Sequence, residues 1–122
     1  TIGHALEAIS GYGKYLHGEA IAIGQVAAAR LSAAQQALAE SDVERIRQLL
    51  AAAGLPTAVR LTAAQRGRLF HAMRLDKKVS GGEIKFVLAR GLGEALWGQP
   101  VPAALIEQAL NHSALHIPHS AF

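Results

Sequence analysis

The sequence predicts an all-α fold: a helical bundle interrupted by one short extended segment. Three observations predict it. Apolar residues recur at helical spacing over most of the 122 residues. Glycine and proline cluster where those periodic stretches stop. A period of two appears in one place, residues 84–88.

The elements follow in order. Ile2, Leu6 and Ile9 mark a short helix that closes at Ser10-Gly11. GYGKY (11–15) reads as a loop, because glycine tolerates backbone angles other residues avoid. From Gly18 to about Leu38 the chain is alanine-rich and apolar on nearly every side, which is the pattern of a buried helix. Its small residues, Ala20, Ala22, Gly24, Ala27 and Ala28, admit close neighbours. Gly24 costs about 1 kcal/mol of helix propensity relative to alanine, tolerable where a partner backbone or a ligand needs the space. Gln25 places an amide in what reads as a buried helix.

Ser41 is the expected N-cap of the next helix, with Glu44 as its capping-box partner. Val43, Ile46, Leu49 and Leu50 form its apolar stripe; Gly54 and Pro56 end it. Thr62 caps a further helix through Leu69, Phe70 and Met73 to about Leu75. Ile84, Phe86 and Leu88 alternate with Lys85 and Val87 as a short strand, flanked by Gly81-Gly82 and Gly91/Gly93. Pro102 opens a final helix carrying Leu105, Ile106 and Leu110. HSALHIPHSAF reads as a poorly patterned tail, so residues 1–110 are assigned to one helical domain and 111–122 to a tail.

Composition narrows the function classes. Hydrophobic residues make up 51% and charged residues 17%, enough for a real core and too little charge for a disordered chain. With no cysteine, a disulfide framework and a thiolate zinc site are excluded, and a reducing cytoplasm is the expected compartment. No run reaches the roughly 18 apolar residues that span a bilayer, so no membrane partner is expected. No signal peptide is visible. The chain opens without Met in the middle of an apparent helix, and a fragment or processed piece is expected. Net charge is +3, but residues 60–90 carry Arg60, Arg66, Arg68, Arg74, Lys77, Lys78, Lys85 and Arg90 against Asp76 and Glu83. That local excess suits a solvated basic face, an anionic substrate or a nucleic acid.

Several residues carry possible chemistry. His17-Gly18-Glu19 places an imidazole just before a helix, where it can ligate zinc or simply cap the helix or face solvent. His4 lies on a helix face with Glu7 three residues on, close enough in a helix to hydrogen-bond its ring. Asp76-Lys77-Lys78 ends a helix, where lysines stabilise the helix dipole or reach toward a phosphate or carboxylate. His112 and His116 are spaced i, i+4, but Pro118 separates them from His119, and a solvated tail is expected. No strand–GxGxxG–helix unit occurs, so the chain is not expected to bind NAD by itself.

Taken together, GHALEAISGYGKYLHGEAIAIG and MRLDKKVSGGEIKFVLARGLGEA resemble the C-terminal helical domain of the 3-dehydroquinate synthases, members of the sugar-phosphate cyclase superfamily. The resemblance runs from residue 1 to about 110. It implies a two-domain enzyme. An N-terminal Rossmann-type domain binds NAD, and the helical domain supplies much of the substrate and metal site. The implied reaction cyclises a seven-carbon keto-acid phosphate (DAHP) to 3-dehydroquinate with loss of phosphate, in the shikimate pathway. A divalent metal, zinc or cobalt, acts as Lewis acid.

The family motif reads Asn-x-Gly-His-x-x-Gly-His-Ala, and TIGHA matches its second half, so the resemblance puts His4 in the substrate site. His17 of LHGE matches a zinc histidine, and Lys77 and Lys78 match the DKK that helps hold the substrate's anionic groups, with Lys77 favoured. The motif's first histidine and asparagine fall before Thr1, and the glutamate ligand and NAD fold belong to the N-terminal domain. The chain alone is therefore expected to be inactive, and the intact enzyme to be a cytoplasmic homodimer. Two rivals remain: another sugar-phosphate cyclase, and a non-catalytic module binding nucleic acid through the 60–90 basic face. Phe70 and Phe86 are its few aromatics for base stacking, so no nucleic-acid partner is expected.

Overall fold

The computed structural model describes residues 1–11, 14–35, 37–75 and 83–112. In order they form α1 (Ile2–Ser10), α2 (His17–Ala34), α3 (Glu40–Ala52), α4 (Ala63–Leu75), β1 (Ile84–Gly91), β2 (Glu94–Val101) and α5 (Ala103–His112). The bundle with one extended excursion is therefore present, and the excursion is an antiparallel hairpin rather than a lone strand.

Helix α2 is the centre. It touches α1, α3, β1 and α5, and Ala20, Ala22, Ile23, Val26, Ala27, Ala29, Leu31 and Ser32 are buried around its circumference. Small side chains on every face let four neighbours approach one helix. Ile23 and Leu31 of α2 are fully buried, as are Leu6, Leu69, Met73 and Ile106 from the other helices. Each such side chain contributes about 1.5–3 kcal/mol relative to exposure. Helix α2 stops at Ala34 rather than near Leu38: the Ala37 amide donates to the Ser32 carbonyl at 2.9 Å, and the chain turns. Leu38 then joins a small cluster with Ala29 and Val43. Gln25 is exposed, so its amide meets solvent instead of needing a buried partner.

Two helix starts contrast. Thr62 caps α4 as expected, and the cap is reciprocal: the Gln65 amide donates to Thr62 Oγ1 at 3.2 Å, and the Thr62 amide donates to Gln65 Oε1 at 2.8 Å. Helix α3 instead starts from Ala39, in extended conformation, with Ser41 inside the helix. Glu40 and Asp42 fill its first turn and complement the dipole without a hydroxyl cap. Glu44, freed from any capping role, binds Arg47. Leu49 lies off the buried stripe and is exposed.

In β1 the alternation holds: Ile84, Phe86 and Leu88 face the core. Strand β2 exposes most of its residues, Trp97 among them, which is why it carries no apolar alternation. The turn between the strands needs Gly93, whose φ of 83° disfavours a Cβ. Ser32 ties the hairpin to α2. Its hydroxyl donates to the Ala28 carbonyl at 2.8 Å and accepts the Ala89 amide at 3.0 Å, beside a break in strand register. No helix among the described residues is long and apolar enough to cross a membrane.

Candidate functional site

The site begins with a close crossing. Helices α1 and α2 meet where Gly24 lies against the backbone of Gly3. Between them the chain reverses at Gly11, whose φ is 75°. At the end of that loop, Glu19 anchors the start of α2: its Oε1 accepts the Leu16 amide at 2.8 Å. Glu19 is thus the capping residue of α2. The cap fixes where His17, the first residue of α2, stands.

Both candidate histidines are exposed, and the crossing brings them together. Their ring centroids lie 5.9 Å apart with planes inclined by 23°, a stacked pair. Glu7 approaches His17 and not His4: His17 Nδ1 is 2.8 Å from Glu7 Oε1. The sequence spacing pointed to His4 because residues i and i+3 share a helix face. The tertiary crossing places a second imidazole closer. A carboxylate only accepts hydrogen bonds, so Nδ1 of His17 carries the proton and donates it. That leaves Nε2 as the nitrogen available to a ligand. The Glu7 side chain is 17% exposed and the His17 side chain 66%, so a seated carboxylate holds an open imidazole.

This arrangement can present one imidazole nitrogen to an electrophile, with a second ring beside it. The donor chemistry fits zinc or cobalt, which take imidazole nitrogen with the other ring nitrogen held by a carboxylate. Among the described residues no group of three or more such side chains converges, so these residues do not make a whole metal site. Lys77 and Lys78 lie outside the described residues, as do His116 and His119; of His112 only the backbone, at the end of α5, is described. The described basic residues of 60–90 are spread over α4 (Arg66, Arg68, Arg74), β1 (Lys85, Arg90) and the segment before α4 (Arg60). Part of their charge is engaged: Arg66 donates to the Leu61 carbonyl, and Arg90 pairs with Glu94 at 2.8 Å.

Two cavities lie along α1 and α2, and neither is lined by His4 or His17. One of about 440 Å³ lies at the end of α1, lined by Lys14, Tyr15, Arg60 and Gln65 among others. Burial pushes the Tyr15 phenol above its ordinary pKa, with the Glu19 carboxylate adding to the effect. The other, about 860 Å³, lies between Gln25 of α2 and Phe86 and Trp97 of the hairpin, and neither histidine lines it. Glu7 as the partner of His17 was not legible in sequence. Its only signal was a carboxylate on the same helix face as His4.

The family model described as "3-dehydroquinate synthase C-terminal" matches residues 1–79. The 3-dehydroquinate synthase of Acidithiobacillus ferrooxidans is 50% identical over 110 residues, which is 90% of this chain and 30% of that protein. The enzyme of the same name from Nitrosospira multiformis is 41% identical over 110 residues, again 90% and 30%. The chain thus spans about 30% of the length of these relatives. A solved 2-deoxy-scyllo-inosose synthase, complexed with carbaglucose-6-phosphate, NAD+ and Co2+, superposes with a TM-score of 0.71 at 28% identity, over 89% of this chain and 32% of that one. A 2-epi-5-epi-valiolone synthase from Streptomyces hygroscopicus, with NAD+ and Zn2+ bound, shares the fold at a TM-score of 0.66 and 24% identity, over 89% and 31%. With its motif residues, helical order and matched span in agreement, the chain belongs to the 3-dehydroquinate synthase C-terminal domain family.

Proposed function

We propose that this chain is the substrate- and metal-site part of a 3-dehydroquinate synthase, which converts DAHP to 3-dehydroquinate with loss of phosphate. The observation that supports it most directly is the convergence of His4, His17 and Glu7 from two helices, with the rings 5.9 Å apart. In this reading His17 offers Nε2 to a divalent metal, zinc or cobalt. His4 lines the substrate pocket beside it. Lys77 and Lys78 hold the substrate's phosphate and carboxylate. A metal held by His17 would supply Lewis-acid polarisation of the substrate hydroxyl, and NAD, held mainly by the N-terminal domain, would supply the hydride chemistry. The protein's own part is positional. Glu19 fixes the start of α2, Glu7 holds the His17 ring, and the Gly3–Gly24 crossing sets the spacing of the two imidazoles.

One imidazole cannot complete a zinc site of about four ligands, so the chain by itself is inactive and works joined to the N-terminal domain. The intact enzyme is proposed to be a cytoplasmic homodimer. In the full-length protein with zinc and NAD, DAHP-dependent phosphate release is expected, and H17A is expected to abolish it. Undiminished release by H17A refutes the reading, and release by the isolated chain refutes its dependence on the rest. A second reading, another sugar-phosphate cyclase, is favoured by the 0.71 TM-score to the 2-deoxy-scyllo-inosose synthase. Turnover of a hexose 6-phosphate in place of DAHP would select it.

A further inference from the structure

We propose that Glu7 is a positioning residue for metal binding: it fixes the ring orientation and the tautomer of His17. The inference rests on the reading of His17 as a metal ligand, and extends it to a residue the sequence had placed beside His4. Three observations carry it. The first is distance: Glu7 Oε1 lies 2.8 Å from His17 Nδ1, a charge-assisted hydrogen bond. The second is the contrast in exposure between Glu7, 17%, and His17, 66%. A merely incidental surface pair would have both partners in solvent, and such pairs contribute little. Here the anchor is seated in the fold and the held group is open. The third is the His4 ring, whose centroid lies 5.9 Å from that of His17 with the planes inclined by 23°, so the held imidazole stands beside a second one. Rotation of the His17 ring would break its bond to Glu7.

The consequence is chemical. With the proton held on Nδ1, the Nε2 lone pair is free in the tautomer a metal requires, so no tautomer exchange or ring rotation precedes ligation. Losing such a partner typically weakens metal affinity by about 10–100-fold.

The test measures zinc affinity by chelator competition in the full-length protein, as wild type, E7A, E7Q and H17A. Nitrogen-15 NMR of the zinc-free proteins reports the His17 tautomer. Wild type is expected to show the Nδ1–H tautomer. E7A should bind zinc about 10–100-fold more weakly and shift His17 toward Nε2–H. E7Q keeps an acceptor oxygen without the charge, so it should retain the Nδ1–H tautomer and lose affinity nearer the tenfold end of that range. Should E7A fail to fold, judged by circular dichroism, the near-isosteric E7Q decides the matter through its affinity. An affinity within twofold of wild type in E7Q and in folded E7A, with H17A impaired, overturns the role of Glu7 alone. Unchanged His17 tautomer in folded E7A overturns it as well. Wild-type affinity in H17A overturns the ligand assignment, and this proposal with it.

Discussion

Gly24 and Gly3 are in backbone contact: a Cβ added to Gly24 would stand 2.7 Å from the Gly3 amide nitrogen and 3.0 Å from its Cα. Both obstructing atoms are main chain, so nothing can rotate out of the way. G24A should therefore push α1 off α2 even though alanine gains about 1 kcal/mol of helix propensity. Overpacking of this kind costs about 1–3 kcal/mol, and a net loss of stability is expected in urea unfolding. G3A should also destabilise, but by less: its nearest obstruction, Ile21 Cδ1 at 2.9 Å, is the tip of a flexible side chain, and the main-chain atoms it meets, Ala20 O at 3.1 Å and Ile21 Cα at 3.2 Å, stand farther off than those facing Gly24. The same shift should displace His4 from His17. Under the proposed function, misplacement by about 1 Å can cost on the order of 100-fold in rate, so G24A should depress kcat of the full-length protein beyond its effect on stability.

Ser32 to alanine tests the link between α2 and the hairpin. The substitution leaves the part-buried Ala89 amide without its acceptor, against the buried Ser32 position. An orphaned buried donor costs about 1–3 kcal/mol. Hydrogen exchange should localise the loss, with the Ala89 amide exchanging faster in S32A than its neighbours on β1. Equal protection of Ala89 in both proteins would contradict this account.

The sequence was legible where burial is periodic. Ile84, Phe86 and Leu88 announced β1, and the alanine-rich run announced a central helix, because in both the core side chains repeat at the element's own period. Strand β2 escaped notice because it is held by backbone pairing to β1 and exposes most of its side chains. Gly24 was legible as a close-approach position, but its partner Gly3 was not, since nothing local says which helix comes near. The site shows the same division. His4 and His17 stood out by type and spacing. The Glu7–His17 bond depends on two helices crossing, and i, i+3 logic within α1 pointed to the wrong ring. Ser32 carried no signal in the sequence, because the amide its hydroxyl satisfies comes from β1, 57 residues on.

Acid should weaken α3. The Arg47 guanidinium, by hydrogen bond and charge, holds the Glu44 carboxyl below its ordinary pKa of 4.5. The folded state therefore binds that proton less readily than the unfolded state. The stabilisation is present above the unfolded value and disappears as pH falls through the folded one. E44Q should flatten the dependence of stability on pH below about 4.5. The pair is exposed, so added salt should shrink the difference between the two proteins.

Alkali should act through Tyr15 with the opposite sign. Burial, then the Glu19 carboxylate, raises its pKa above 10.0, so the folded protein holds the phenolic proton more tightly than the unfolded chain. That stabilisation is intact below pH 10.0 and is lost as pH rises through the folded value. Wild type should lose stability more steeply than Y15F over that window. Ultraviolet difference spectra should show one tyrosine ionising late, absent in Y15F. Parallel stability curves for the two proteins would contradict the burial argument.

Under the proposed function, Lys77 and Lys78 divide unequally between substrate binding and helix support. A lysine that grips a phosphate or carboxylate contributes a charge-assisted hydrogen bond, about 1.5–3 kcal/mol, or roughly 10–100-fold in kcat/KM. A lysine that only complements the end of α4 contributes a few tenths to about 1 kcal/mol to stability and little to turnover. K77A is therefore expected to lower kcat/KM for DAHP strongly, with Tm nearly unchanged. K78A is expected to lower it less. Arginine at position 77 keeps the charge but not the compact ammonium, and should restore only part of the loss. If K78A proves the more damaging change, the two lysines exchange roles. If neither variant alters kcat/KM, the anion-binding assignment fails, and the basic residues of this stretch are a solvated surface.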